Sequence, residues 1–125
     1  MHRSRVVAAL IDVPASDFDA ETRFWSGLTG RTAEIDPADP DYADLGSVGP
    51  GLSMMVQRVD DSARIHLDVE TDDIEAEVAR LEGLGARRLT QIQTWWVMAD
   101  PAGLPFCVIR VQHPEDFERF AASWP

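Results

Sequence analysis

Lysine is missing altogether: the eleven basic residues are all arginine, they face twenty-two acidic ones, and the formal net charge is −11 over 125 residues. Without lysine, Schiff-base chemistry on an amine side chain is closed to this chain. The negative balance repels phosphate backbones and anionic lipid headgroups, which argues against nucleic acid and membrane surfaces as partners. Cysteine is almost missing too. The single Cys107 excludes an intrachain disulfide and a multi-cysteine zinc site, so stability must come from packing, and a lone thiol fits a reducing compartment. No stretch approaches the roughly twenty apolar residues of a membrane span. The polar residues 1–5 lead straight into a strand pattern without the features of a signal peptide, which makes a cytoplasmic location the expectation.

What the chain does contain is a copy of itself. Shifted by fifty-six places, residues 11–31 lie over residues 67–87 with eight of twenty-one pairs identical and no gap, including Asp12/Asp68, Val13/Val69, Asp17/Asp73 and Gly27/Gly83. A second match places residues 51–59 over 103–111, with five of nine identical. Two half-domains sharing one architecture fit a chain of this length.

Within the first copy, Val7, Ala9, Ile11 and Val13 alternate with Ala8, Leu10 and Asp12, the period of a strand over residues 5–13 that Pro14 ends. Ser16 is the expected N-cap of a helix marked by Phe18, Thr22, Trp25 and Leu28 and stopped near Gly30. Strands are expected at 31–35, 42–46 and 52–59, the first two separated by an acidic loop in which Pro37 and Pro40 forbid helix. The second copy opens with a strand whose Ile65, Leu67 and Val69 form one face and whose Arg64, His66 and Asp68 form the other. Thr71 is the expected cap of the next helix, with Ile74, Val78, Leu81 and Leu84 on one side, Gly85 at its end, and Asp72, Asp73, Glu75 and Glu77 as its first turn and solvated side. Strands at 87–92, 95–99 and 104–111 follow. Pro114 then starts a short helix carrying Phe117, Phe120, Ala121 and Trp124.

This duplicated strand-helix-strand-strand-strand order, the H-L-D-V-E-T-D-D-I junction and the closing W-V-M-A-D-P-A-G-L-P-F-C-V-I resemble the vicinal oxygen chelate superfamily, and more narrowly its glyoxalase-like domain proteins of actinobacterial type. The resemblance covers residues 5–111. It implies an α+β fold in which two βαβββ modules, 5–59 and 63–111, form a half-open, curved mixed sheet in a single domain, with 112–125 as a helical tail. It also implies a homodimer, and a small-molecule ligand in the concave sheet, often with a divalent metal; members include glyoxalases, dioxygenases, epimerases and bleomycin-binding proteins, so the fold does not choose the chemistry. The superfamily's metal-ligand positions fall here on Ala8, Met55, Arg64 and Cys107. Those side chains offer a cation nothing, a soft sulfur or a positive charge, so no metal and no other cofactor is expected. A register two residues along one strand would bring His66 or Gln57 to such a position instead.

The candidate site residues follow from the faces. His66, the one histidine inside a strand, is an acid/base group or a ligand contact, or else an imidazole bonded to Asp68 or a carbonyl. Arg64 suits a carboxylate or phosphate, or an ion pair with Asp12, Asp68 or Glu70. Ser53 and Gln57 can orient a ligand, while Met55, Leu10 and Ile109 form apolar walls. Cys107 is a thiol beside a cation or a small buried hydrophobe. Of Trp95 and Trp96 one faces the cavity and the other the helices, or both are core. Asp12 and Asp68 are read as strand-end acceptors. Two functions stay open: binding without metal, and an enzyme of lyase, isomerase or dioxygenase type that is either metal-free with His66 moving the proton or equipped with a rearranged metal site.

Overall fold

The computed structural model describes residues 1–125, which divide into two compact units, Ala8–His66 and Met1–Val7 together with Leu67–Pro125. In chain order the elements are β1 (His2–Pro14), a 3-10 turn (Ala15–Asp17), α1 (Phe18–Thr29), β2 (Tyr42–Gly49), β3 (Leu52–Val59) and β4 (Arg64–Thr71). They continue with α2 (Ile74–Gly83), β5 (Arg87–Ile92), β6 (Trp95–Ala99), β7 (Pro105–Arg110), α3 (Pro114–Phe120) and β8 (Ala122–Trp124). Eight strands paired both ways and three helices give the α+β class expected from the sequence.

In the Ala8–His66 unit the strand order is β2-β3-β1, with β1 and β3 parallel and β2 antiparallel to β3. Ile11, Val13, Val56, Ala43 and Leu45 send their side chains to one face, where Phe18 of α1 packs on them and Trp25, Ala33 and Met54 complete the cluster. Burying an aliphatic or aromatic side chain of this kind stabilises by about 1.5–3 kcal/mol. Alternation then decides the rest: Leu10, Asp12, Met55 and Gln57, in register as Leu10↔Met55 and Asp12↔Gln57, face away from α1.

The expected strand over 31–35 does not form. Only Glu34 pairs with Asp44, through two backbone hydrogen bonds of 2.8 and 2.9 Å, because Pro37 and Pro40 turn the chain before a ladder can extend. Ser16 lies in the 3-10 turn, and Asp17 is the N-cap of α1 without a side-chain cap bond. Gly30 ends α1 in the left-handed conformation, φ 71°, as its position foretold.

In the second unit β4, β7, β6 and β5 are neighbours in that order, and β4 runs parallel to β7. Val78 of α2 meets Met98 and Val108, with Ile74, Leu81, Ala86, Trp96 and Phe106 around them. The cap of α2 is Asp73, whose Oδ1 accepts from Ala76 N at 3.0 Å, rather than Thr71, whose hydroxyl donates to the Arg3 carbonyl at 2.8 Å. Glu77 is a larger departure from the sequence reading. Far from being solvated it is fully buried, bonded to His2 Nε2 at 2.7 Å and to Arg80.

The C-terminal helix is shorter than its aromatic spacing suggested. It stops at Phe120, and Ala122–Trp124 become β8, antiparallel to His2–Ser4 of β1. Phe117 is buried beneath the Arg3 guanidinium, and the Trp124 ring lies 3.9 Å from that of Arg80 with its indole N–H on Ser4 Oγ at 2.9 Å. Two of the three aromatics are thus spent inside their own unit, leaving Phe120 exposed.

Candidate functional site

The polar centre of the Ala8–His66 unit is Asp12. It is 2% exposed although it is a carboxylate, and such burial costs several kcal/mol unless charged or strongly donating partners offset it. His66 Nδ1 stands 2.6 Å from Asp12 Oδ2, and Arg64 Nε is 3.8 Å from the same oxygen. A hydrogen bond to a charged group contributes about 1.5–3 kcal/mol. Asp12 Oδ1 has no hydrogen-bond partner. Arg64, its side chain 44% exposed, also reaches Asp61 Oδ2 at 3.8 Å, so its guanidinium sits between two carboxylates.

Beside Asp12 in register is Gln57, whose amide Nε2 donates to the Tyr42 hydroxyl at 3.0 Å, and Tyr42 is itself the β2 partner of Gln57. Met55 pairs with Leu10 and Ser53 with Ala8 on the same face. Ser53, Met55, Gln57, Arg64 and His66, which the sequence proposed for the ligand, are therefore all in this unit, and the structure joins Arg64 and His66 through one carboxylate. That carboxylate belongs to Asp12, the residue the sequence reading left as a strand-end acceptor. Its available signal was parity: Asp12 alternates with Ile11 and Val13, so it had to project from the face those residues leave. The partner expected for His66 was Asp68 or a carbonyl, and Asp12 takes the Nδ1 side.

Cys107 and the two tryptophans belong to the other unit. Cys107 is half-buried, in register with Asp68 on β4 and Val97 on β6. Trp96 stands on the helix side, packed in the Val78 cluster with its indole N–H on Glu75 Oε1 at 3.3 Å, so it lies away from the Cys107 face. Trp95, one residue before it, takes the opposite face, that of Val97 and Cys107. Nearby, Glu70 is fully buried and accepts from Arg5 Nε at 2.8 Å and from the backbone N–H groups of Gln112 at 2.6 Å and His113 at 3.2 Å, which ties the end of β7 to β4.

Ionic groups elsewhere in this unit serve structure. The Arg3 backbone N–H and guanidinium hold the Asp72 carboxyl below its ordinary range, and the same guanidinium holds Glu118 low. Burial alone would push Glu77 up, but hydrogen bonds from Arg80, His2 and Ser4 outweigh it and the carboxyl titrates below its ordinary 4.5. A groove of about 710 Å³ beside the start of α2 is lined by Asp72, Asp73, Glu75, Gln91, Gln93 and Arg110 among others. Its carboxylates are already engaged, Asp72 by Arg3, Asp73 as helix cap and Glu75 by Arg88.

The superfamily that the sequence resembles often holds a divalent cation, which asks for three or more donors. On the Ala8–His66 face Ala8 has no donor, Met55 offers a thioether, Arg64 is itself cationic, and Asp12 is engaged by His66 and Arg64. In the other unit the Glu70 carboxylate is saturated by three donors.

Against known proteins, a model of the glyoxalase-like domain matches residues 8–109. Among solved structures, an NAD-dependent benzaldehyde dehydrogenase from Legionella pneumophila aligns with TM-score 0.58 at 12% identity, over 82% of this chain and 99% of that one. A variant of Streptomyces coelicolor methylmalonyl-CoA epimerase in complex with 2-nitronate-propionyl-CoA gives 0.54 at 16% identity, over 86% and 95%. A xylose isomerase-like TIM barrel/4-hydroxyphenylpyruvate dioxygenase fusion protein gives 0.53 at 15%, over 86% of this chain and 26% of the other. Identities this low establish a shared fold and nothing about chemistry. No curated protein matches the chain.

Proposed function

The chain belongs to the glyoxalase-like domain family of the vicinal oxygen chelate superfamily, and from that premise we propose that it binds a small organic molecule, without a divalent metal, on the sheet face formed by Leu10, Asp12, Met55, Gln57 and His66. The observation that carries the reading is a buried carboxylate with an imidazole on it, set among apolar and amide side chains. Binding sites are built this way, from apolar walls with a few convergent polar groups. An all-structural role would favour a hydrophobic residue at Asp12, since well-packed apolar replacements of buried ion pairs are often neutral or stabilising.

The test is a thermal-shift screen of a metabolite library that includes CoA esters, because fold neighbours bind them. A ligand present at a hundred times its dissociation constant adds about 2.7 kcal/mol. The shift is expected to shrink in Met55→Ala and Gln57→Ala. A hit whose shift is unchanged in both variants binds elsewhere and sinks the reading.

A second reading, an enzyme that moves a proton without metal, is favoured by one distance, the 2.6 Å between His66 and Asp12. In it His66 Nε2 takes a proton from the ligand while Asp12 stabilises the imidazolium that results. His66→Ala would then keep ligand affinity and lose turnover; loss of affinity with no turnover in the parent returns the protein to the binding reading. A homodimer and a cytoplasmic location complete the proposal. Phe24 and Leu28 on α1, both exposed, are the apolar residues to mutate if sedimentation gives a dimer. No helix is long and apolar enough to cross a membrane.

A further inference from the structure

We propose that the groove at the start of α2 is a second ligand site, and that it takes a small carboxylate bearing an amide or hydroxyl group, held by Arg110 together with Gln91, Gln93 and Thr94. All of these residues lie in the unit that contains Leu67–Pro125, so the site does not depend on the binding face proposed above.

The strand pattern brings Arg110 there. It lies two residues beyond Val108 on β7 and shares its face, the one that Val78 of α2 covers. Since α2 begins only at Ile74, the arginine, in register with Thr71, stands past the helix start and is left exposed. Gln91, in register with Trp96, projects to the same side, and Gln93 and Thr94 form the turn that joins β5 to β6. The groove, about 710 Å³, falls within the range of about 300–1,000 Å³ in which small molecules are held.

Hydrogen-bond inventory separates the two walls. On one, every carboxylate is in use: Asp72 accepts from the Arg3 backbone N–H at 2.8 Å, Asp73 from Ala76 N at 3.0 Å, and Glu75 from Arg88 and the Trp96 indole, each at 3.3 Å. On the other, the Arg110 guanidinium and the polar groups of Gln91, Gln93 and Thr94 have no partner in the protein. A cation entering the groove would have to displace Arg3 or Arg88 and would be repelled by Arg110. A carboxylate instead meets a planar fork of donors that matches its two oxygens, and the amides and hydroxyl serve its polar remainder. A doubly charged phosphate would feel the charges of Asp72, Asp73 and Glu75 about twice as strongly as a monoanion does. Gln93 adds an independent observation. It is the one non-glycine residue with positive φ, 52°, a conformation that favours glycine. Glycine would relieve the turn but leave that part of the groove wall bare, so a side chain is kept there despite the strain, as at binding sites.

The test is a titration of nitrogen-15-labelled protein with N-acetylglycine at low salt, followed at the backbone amides of residues 71–75, 91–94 and 110–111. Saturable shifts at these positions are expected. Arg110→Gln, an exposed substitution that leaves the core intact, is expected to weaken binding about tenfold or more through the loss of a charge-assisted hydrogen bond. Gln93→Gly is expected to weaken it severalfold while raising the thermal midpoint. Arg87→Gln, which removes an exposed arginine of β5 outside the groove, should leave the titration unchanged. N-acetylglycinamide, the neutral counterpart, and inorganic phosphate should both bind more weakly than N-acetylglycine. The absence of saturable shifts, an unchanged titration in Arg110→Gln, or an equal loss in Arg87→Gln overturns the site. Equal affinity for the amide or for phosphate overturns the carboxylate class, and parental affinity in Gln93→Gly overturns the part assigned to Gln93. Shifts confined to Leu10, Met55 and Gln57 and abolished by Met55→Ala would put the probe on the other face, which overturns the groove as its site and leaves the earlier proposal standing.

Discussion

At the scale of single residues the molecule places its buried charges where local pattern gives no warning. Glu77 sits at a position that looks solvated beside its acidic neighbours, yet it is sealed in with His2 and Arg80. Removing one partner of a buried pair costs about 3–5 kcal/mol, so Glu77→Ala is expected to lower stability near neutral pH by about that much in urea unfolding. The pH dependence has a definite sign. Glu77 titrates below 4.5 in the folded protein, so its contribution is complete above that value and is lost as pH falls through the depressed one. Parent and variant should converge in acid; a gap that stays constant from neutral to acid pH would refute the assignment. None of this was legible beforehand, because His2 looked like a terminal residue and its partner lies seventy-five positions away. His66 was singled out from the sequence as the one histidine within a strand, but the carboxylate that orients it was not.

Elements were easier to foresee than their ends. Both long helices and the strands at 42–46, 52–59, 87–92, 95–99 and 104–111 follow from period and turn residues, since these depend on neighbours a few positions apart. Capping was misjudged at both helices because Ser16 and Thr71 have the right chemistry at nearly the right place, and an offset of one residue at α1 and two at α2 moves the hydroxyl away from the cap position. The consequence is measurable. Asp73→Ala should cost about 1 kcal/mol and speed amide exchange in the first turn of α2, whereas Ser16→Ala should stay within about 0.5 kcal/mol. Equal losses at the two sites would mean the cap assignment is wrong. The missing strand at 31–35 and the added β8 have a common cause, for a strand exists only where a partner edge is present. Residues 31–35 find a single bridge, and residues 122–124 find the free edge of His2–Ser4.

For the whole molecule the functional prediction is compositional. Protein purified without chelator or affinity tag is expected to carry well under one equivalent of divalent metal, and a full equivalent would overturn the metal-free proposal. The alternation along each strand was enough to determine which side chains share a face, while the α+β class and the family were legible through the resemblance that the repeat and the closing D-P-A-G-L-P-F segment carry. Those are properties of short stretches, and a strand's period of two is fixed by its own backbone. Only the tertiary structure decided that Asp12 meets His66 across fifty-four residues, that Arg64 is spent on two carboxylates, and that Trp96 turns to the helices while Trp95 does not. Such meetings depend on register and on which edge pairs with which, and both are settled by the packing of residues far apart in the chain.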